Sequence, residues 1–190
     1  MAYNAIVIGA SSGGLNALQQ VLAPLPANFP LPILIVQHRF PAADDLLTIA
    51  LNESCRLKVK EADEKDYIET GHVYVAPANY HMLVERDRTI SLSADVKVCY
   101  SRPSIDVLFE SAADVYLSYL IGVILTGANH DGTVGLKKIK QNGGLTVAQD
   151  PATAEADMMP LSAIEANIVD QVLSLNEIAS LLALLGKKAT

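Results

Sequence analysis

Residues Gly9 to Gly14 read Gly-Ala-Ser-Ser-Gly-Gly and follow directly on the apolar run Ala5-Ile6-Val7-Ile8. A glycine-rich turn between a first strand and a first helix can seat a dinucleotide pyrophosphate on the helix amides. Two features weigh against a cofactor here. The spacing is G-x-S-x-G-G rather than G-x-G-x-x-G, so a side chain stands where the cofactor motif needs bare backbone. The second apolar run also ends in Gln37-His38, with no acid to hold a ribose. The pentapeptide Gly9-Ala10-Ser11-Ser12-Gly13 instead fits a nucleophile elbow, in which small neighbours let a tight strand-to-helix turn lift the hydroxyl of Ser11 above a sheet. The helix behind it would offer N–H groups to a developing oxyanion. Taken alone, the motif is a weak signal, and Ser11 or Ser12 simply capping that helix is the plainer reading.

A serine nucleophile needs a base, and the base needs an orienting carboxylate. His38 lies just past the second apolar run, and Asp131 lies in Thr126-Gly127-Ala128-Asn129-His130-Asp131-Gly132, just past another, Leu120–Leu125. Each residue alone has a plain reading, His38 as a loop histidine and Asp131 as an N-cap for the helix that follows. Together they point to one crevice, because all three segments leave strands of what reads as a parallel sheet. The chain order Ser, His, Asp differs from the Ser, Asp, His of α/β-hydrolases. His72, His81 and His130 show no H-E-x-x-H spacing, so no metal is assigned.

The elements that must position these residues follow from period. Apolar runs at Ala5–Ile8, Ile33–Gln37, Leu57–Lys60, His72–Ala76, Leu120–Leu125 and Leu145–Ala148 read as strands. Helical period marks Leu15–Leu22, Asp44–Asn52, Ser104–Tyr116, Val134–Gln141, Met158–Glu165 and Leu175–Leu185. Their alternation predicts an α/β fold: a doubly wound, mostly parallel, Rossmann-like sheet with helices on both faces. Met82–Glu85 and Thr89–Leu92 predict an inserted antiparallel hairpin. The last helix opens on the capping-box spacing Ser174-x-x-Glu177 and closes on Gly186-Lys187-Lys188, where glycine is suited to a left-handed cap.

Composition bounds the partners. With 190 residues, 51% of them hydrophobic, the chain reads as one domain with strands covered on both faces. A net charge of -7 disfavours nucleic acid. No apolar run reaches the ~20 residues that span a bilayer, and no basic leader precedes one, so a cytoplasmic protein without membrane insertion is expected. Cys55 and Cys99 lack C-x-x-C spacing and read as structural thiols.

Six blocks then carry a resemblance: IGASSGG at 8–14, VQHR at 36–39, VYVAPANYHMLVE at 73–85, RPSIDVLFESAA at 102–113, LTGANHDGTVGL at 125–136 and QDPATAEADMMP at 149–160. In this order, over nearly its whole length, the chain resembles the catalytic domain of the chemotaxis receptor protein-glutamate methylesterases, the CheB family. The resemblance implies a serine hydrolase that removes methyl groups from glutamate γ-methyl esters on the cytoplasmic helices of chemoreceptors and releases methanol. Members often also deamidate receptor glutamines. By motif, Ser11 is the implied nucleophile, His38 the base and acid, and Asp131 the orienting group. Ser12, Gly13, Arg39, Ala128 and Asn129 are implied at the substrate surface. No organic cofactor or metal is implied. Ala128-Asn129 replaces the Met-Gly pair usual in the family, which keeps open a second reading, a catalytically altered module that docks on receptors or signalling partners. The family's usual receiver domain has no counterpart before Met1, so residues 1–190 are expected to form the catalytic domain alone, with a separate response-regulator protein as candidate partner.

Overall fold

Every residue of β1 (Ala5–Ala10) is buried. Only a strand covered on both faces reads as a continuous apolar run rather than an alternation. Ile6, Ile8 and Ala10 enter one core layer, whereas Ala5 and Val7 enter the layer on the opposite face. The computed structural model describes residues 2–39 and 46–187. After β1 come α1 (Gly14–Leu22), β2 (Ile33–Gln37), α2 (Leu46–Ser54), β3 (Lys58–Glu61), β4 (His72–Val75), β5 (His81–Val84) and β6 (Ile90–Ser93). Then follow α3 (Ile105–Tyr116), β7 (Leu120–Ile124), α4 (Thr133–Gln141), β8 (Leu145–Gln149), α5 (Met158–Glu165), β9 (Gln171–Leu173) and α6 (Leu175–Gly186).

Among the described residues, seven strands form one sheet in the order β3-β4-β2-β1-β7-β8-β9. Every pairing within it is parallel. β1 lies between β2 and β7, so the winding reverses at β1, and such a reversal opens a crevice beyond the carboxyl ends of the strands. Register then fixes what meets there. Ala10 pairs with Gln37, and Gly9 pairs with Ile124. The ladder continues one step past the strands, with the His38 N–H on the Ala10 carbonyl at 3.0 Å and the Ser11 N–H on the Thr126 carbonyl at 2.9 Å. The loops carrying Ser11, His38 and Asp131 therefore leave three adjacent strands at one rim.

One face is covered by Leu18, Val21 and Leu22 of α1, Leu51 of α2 and Ile178 and Leu182 of α6. The other is covered by Ile105, Leu108 and Phe109 of α3, Leu136 and Ile139 of α4 and Met159 of α5. The β5–β6 hairpin is a separate antiparallel pair whose Met82, Val84 and Ile90 join that second layer. The predicted fold class holds, and element limits shift by a residue or two. For the helix expected at 44–52, positions 44 and 45 lie outside the described residues. Strand β9 was not anticipated, because Gln171-Val172-Leu173 is too short and too exposed at the sheet edge to show a period. Gly186 is a correction: α6 runs through it, and Lys187 at φ -63 keeps right-handed geometry. Its need for glycine is contact, since a Cβ there would come 2.4 Å from Cε2 of Phe29. Lys188 lies outside the described residues. The expected capping box is present at Ser174 and Glu177.

Helices α3 and α4 touch through Gly135, where an added Cβ would lie 2.4 Å from the Cβ of Phe109 and 3.0 Å from the carbonyl oxygen of Asp106. Neither neighbour is a flexible chain end. Gly135→Ala should lower the free energy of unfolding by about 1–3 kcal/mol, measured by chemical denaturation. An unchanged midpoint would show that the helices separate more easily than this packing allows.

Candidate active site

The chain turns out of β1 at Ser11 and enters α1 through Gly13, whose φ of 75° is the left-handed geometry that glycine tolerates best. No side chain accepts a capping hydrogen bond at the start of α1, so neither Ser11 nor Ser12 is spent as a helix cap. The turn is tied to its neighbours. The Gln37 carboxamide donates to the Ser11 carbonyl at 2.8 Å and to the His38 carbonyl at 2.9 Å. The Thr126 hydroxyl lies 2.8 Å from the Ser12 carbonyl. Gly127 permits this closeness, because a Cβ there would meet the Cβ of Ser11 at 2.9 Å and the sulfur of Met159 sooner still.

The His38 imidazole and the Asp131 carboxylate come from loops 93 positions apart in sequence, and Nε2 lies 2.8 Å from Oδ2. Asp131 is fully buried at its side chain, and the His38 side chain is 11% exposed. A buried carboxylate survives only if its oxygens are satisfied. Oδ1 accepts the Ser104 hydroxyl at 2.9 Å and the Asp106 N–H at 3.0 Å, while Oδ2 accepts the Ile105 N–H at 2.7 Å. Ser104 is the N-cap of α3 and the two amides are its first, so Asp131 sits on the positive end of that helix. Burial pushes the Asp131 carboxyl up, but the His38 hydrogen bond and the Ile105 and Asp106 amides outweigh it and hold the group below its ordinary value.

An ionised, acceptor-only Asp131 settles the imidazole. Nε2 carries the proton it donates, which leaves Nδ1 as the acceptor nitrogen. The Asn129 amide nitrogen lies 3.5 Å from that Nδ1. Asn129 is itself held by the Asp131 N–H, which donates to its Oδ1 at 3.1 Å.

Asp106 answers Asp131 across the helix pair. Its own carboxylate accepts the Gly135 N–H at 2.8 Å in the first turn of α4. Each acid thus caps the helix that the other adjoins. Burial raises the Asp106 carboxyl to about 6, with the Gly135 and Gly132 amides opposing and the charges of Asp131 and Glu110 reinforcing. Cys99, Asp106 and Asp131 offer ligand atoms within 4.8 Å of one another, the geometry of a candidate cation site. The donors already aimed at both carboxylates oppose a cation there. Buried His81 joins the support, with Nδ1 accepting the Ser104 N–H at 3.2 Å and Nε2 lying 3.1 Å from the Val96 carbonyl.

The structure gathers Ser11, Ser12, Gly13, His38, Ala128, Asn129 and Asp131 at the carboxyl rim, with Ser12 and Ala128 exposed. Arg39, just past β2, is 8% exposed at its side chain, pairs with Glu61 of β3 and donates to the Ala76 carbonyl just past β4. Sequence reasoning missed Gln37, His81, Ser104 and Asp106. A signal existed for one of these, since the helix predicted from Ser104 implies an anion-binding N-terminus.

Fold and site together define a class: a doubly wound α/β domain with a histidine–carboxylate pair beside a serine turn at its switch point. The chain belongs to the CheB methylesterase family, whose model matches residues 6–182. It is similar to the solved CheB methylesterase catalytic domain of Thermotoga maritima, with a TM-score of 0.93 at 36% identity over 97% of this chain and 100% of that one. A Leptospira interrogans relative named for protein-glutamate methylesterase and protein-glutamine glutaminase activity is 59% identical over 181 residues, covering 95% of this chain and 94% of that protein. A Methanosarcina acetivorans relative of the same name is 41% identical over 183 residues, and there the matched segment is 51% of the relative's length. Among the described residues, no helix is long and apolar enough to cross a membrane.

Asp106 gives the site a pH signature. A carboxyl near 6 when folded and near 3.8 when unfolded costs stability when ionised, and that cost is relieved as pH falls through 6 towards 3.8. Relative to Asp106→Asn, the wild type should therefore gain stability between pH 7 and pH 5, measured by denaturation at both values. A difference that does not change with pH would contradict the assignment.

Proposed function

We propose that this protein is a serine hydrolase that demethylates glutamate γ-methyl esters on the cytoplasmic helices of chemoreceptors, and deamidates receptor glutamines by the same route. The observation that carries this reading is the 2.8 Å pairing of His38 with a buried Asp131 at the rim where the Ser11 turn emerges, in a chain of this family. Ser11 is the nucleophile, His38 the base and then the acid, and Asp131 the group that orients the imidazole.

The steps follow from the tautomer. Ser11 Oγ bonds to the ester carbonyl carbon as its proton passes to His38 Nδ1, and the carbonyl π pair moves onto oxygen. Asp131 stabilises the imidazolium through Nε2–H. The N–H groups of the Ser12–Gly13 turn, in the electropositive field of the α1 end, are the donors for the developing charge, since the Gly14 N–H is given to the Ser11 carbonyl at 2.8 Å. Collapse of the intermediate breaks the bond to methoxide, which takes the proton from Nδ1 and leaves as methanol. Water then attacks the acyl-enzyme, gives its proton to Nδ1, and the glutamate carboxylate departs as Ser11 recovers its hydrogen. With glutamine the leaving group is ammonia and the rest is unchanged. Ala128 stays exposed beside the crevice, where a receptor helix would pass. No cofactor is needed for any step.

The decisive assay is release of labelled methanol from methylated receptor fragments. Ser11→Ala should release none while keeping the wild-type unfolding midpoint, and Asp131→Asn should slow turnover by about 10⁴, the scale of losing the orienting carboxylate elsewhere. Retained release by Ser11→Ala would exclude it as nucleophile.

A further inference from the structure

We propose that Asn129 is a catalytic residue of this site: a carboxamide that donates to the resting base and turns the same N–H onto the oxyanion when the base is protonated. The proposal rests on the Ser11–His38–Asp131 reading and adds to it a source of transition-state stabilisation outside the α1 N-terminus.

The orientation of the amide is fixed by its surroundings. Oδ1 accepts the Asp131 N–H at 3.1 Å, so the oxygen faces the loop backbone and the NH₂ end faces His38. A flipped amide would set its NH₂ against that backbone donor. Nδ2 then lies 3.5 Å from Nδ1 of His38, the one ring nitrogen not engaged by Asp131. This distance is long for a hydrogen bond, so little is lost when it breaks.

The chemistry supplies the switch. In the resting state Nδ1 is an acceptor, and an N–H facing it is favourable. Nδ1 has a single lone pair, so the Asn129 N–H yields it as the Ser11 proton arrives, and once Nδ1 is protonated the two donors repel each other. In the same step a full negative charge forms on the substrate oxygen, bound to the carbon that Ser11 has attacked. Rotation about the Cα–Cβ and Cβ–Cγ bonds of Asn129 carries the N–H from the one atom to the other. A donor that is half-buried and already beside the base has a short way to turn as the charge appears, and a donor on the oxyanion acts where the charge develops. The substrate ester before attack carries no comparable charge, so the contribution falls on the intermediate and leaves ground-state binding alone.

Two variants test the idea with wild type in the methanol-release assay. Asn129→Ala removes the amide. Asn129→Asp keeps an oxygen for the Asp131 N–H, and so the loop, while losing the donor. Both should lower kcat by about 10²–10³ with KM little changed. A trifluoromethyl ketone analogue of glutamate γ-methyl ester, which forms an oxyanionic hemiketal on serine, should lose affinity for Asn129→Ala by a similar factor. Unchanged or raised kcat in Asn129→Ala would overturn the proposal, as would a fall in kcat with analogue affinity intact. These outcomes are separate from failure of the underlying reading, which would appear as turnover by Ser11→Ala whatever Asn129 does.

Discussion

The arrangement depends on one buried carboxylate. Asp131 has no exposed side-chain surface, and an uncompensated charge in that position would cost several kcal/mol. It is held by the first turn of α3, through the Ser104 hydroxyl and the Ile105 and Asp106 amides, and its remaining interaction goes to His38. Because helix donors satisfy the charge, the acid stays ionised and acceptor-only. The imidazole must then turn its Nε2–H inward and leave Nδ1 for the crevice. A helix terminus thereby decides which nitrogen of a histidine beyond another strand is left as the acceptor.

That constraint reaches outward through packing. Asp131 and its loop cannot shift without disturbing α3, and α3 is locked to α4 by the glycine contact at Gly135 and by the Asp106 carboxylate on the α4 amides. The opposite wall is held differently. Gln37 links the carbonyls of Ser11 and His38, and the Ser11 N–H continues the β1–β7 ladder onto Thr126. Rigid strands thus fix Ser11 and His38, while a pair of capped helices fixes Asp131. Preorganisation comes from backbone groups, which have few ways to move.

Much of this was legible in the sequence because the sheet is parallel and doubly buried. Unbroken apolar runs such as Ala5–Ile8 mark its strands, and the rule that ligands meet at the switch point puts the residues after β1, β2 and β7 at one rim. What stayed hidden depends on distance in three dimensions. Nothing in local spacing says that Ser104 and Asp106 will surround an acid 25 or more positions away, or that Gln37 will bridge two loops. Nor does local spacing show that Arg39 will pair with Glu61, two elements further on. Gly186 misled: its place at a helix end resembles a cap, but the ring of Phe29 is the reason for it.

The claim beneath all of this is the tautomer of His38, and nitrogen NMR of the ¹⁵N-labelled imidazole at neutral pH reads it directly. A proton on Nε2, with Nδ1 showing the signature of an unprotonated acceptor, is the result required by Asp131 on its helix. A ring protonated at Nδ1 with a bare Nε2 would mean that the carboxylate does not hold the imidazole in this way.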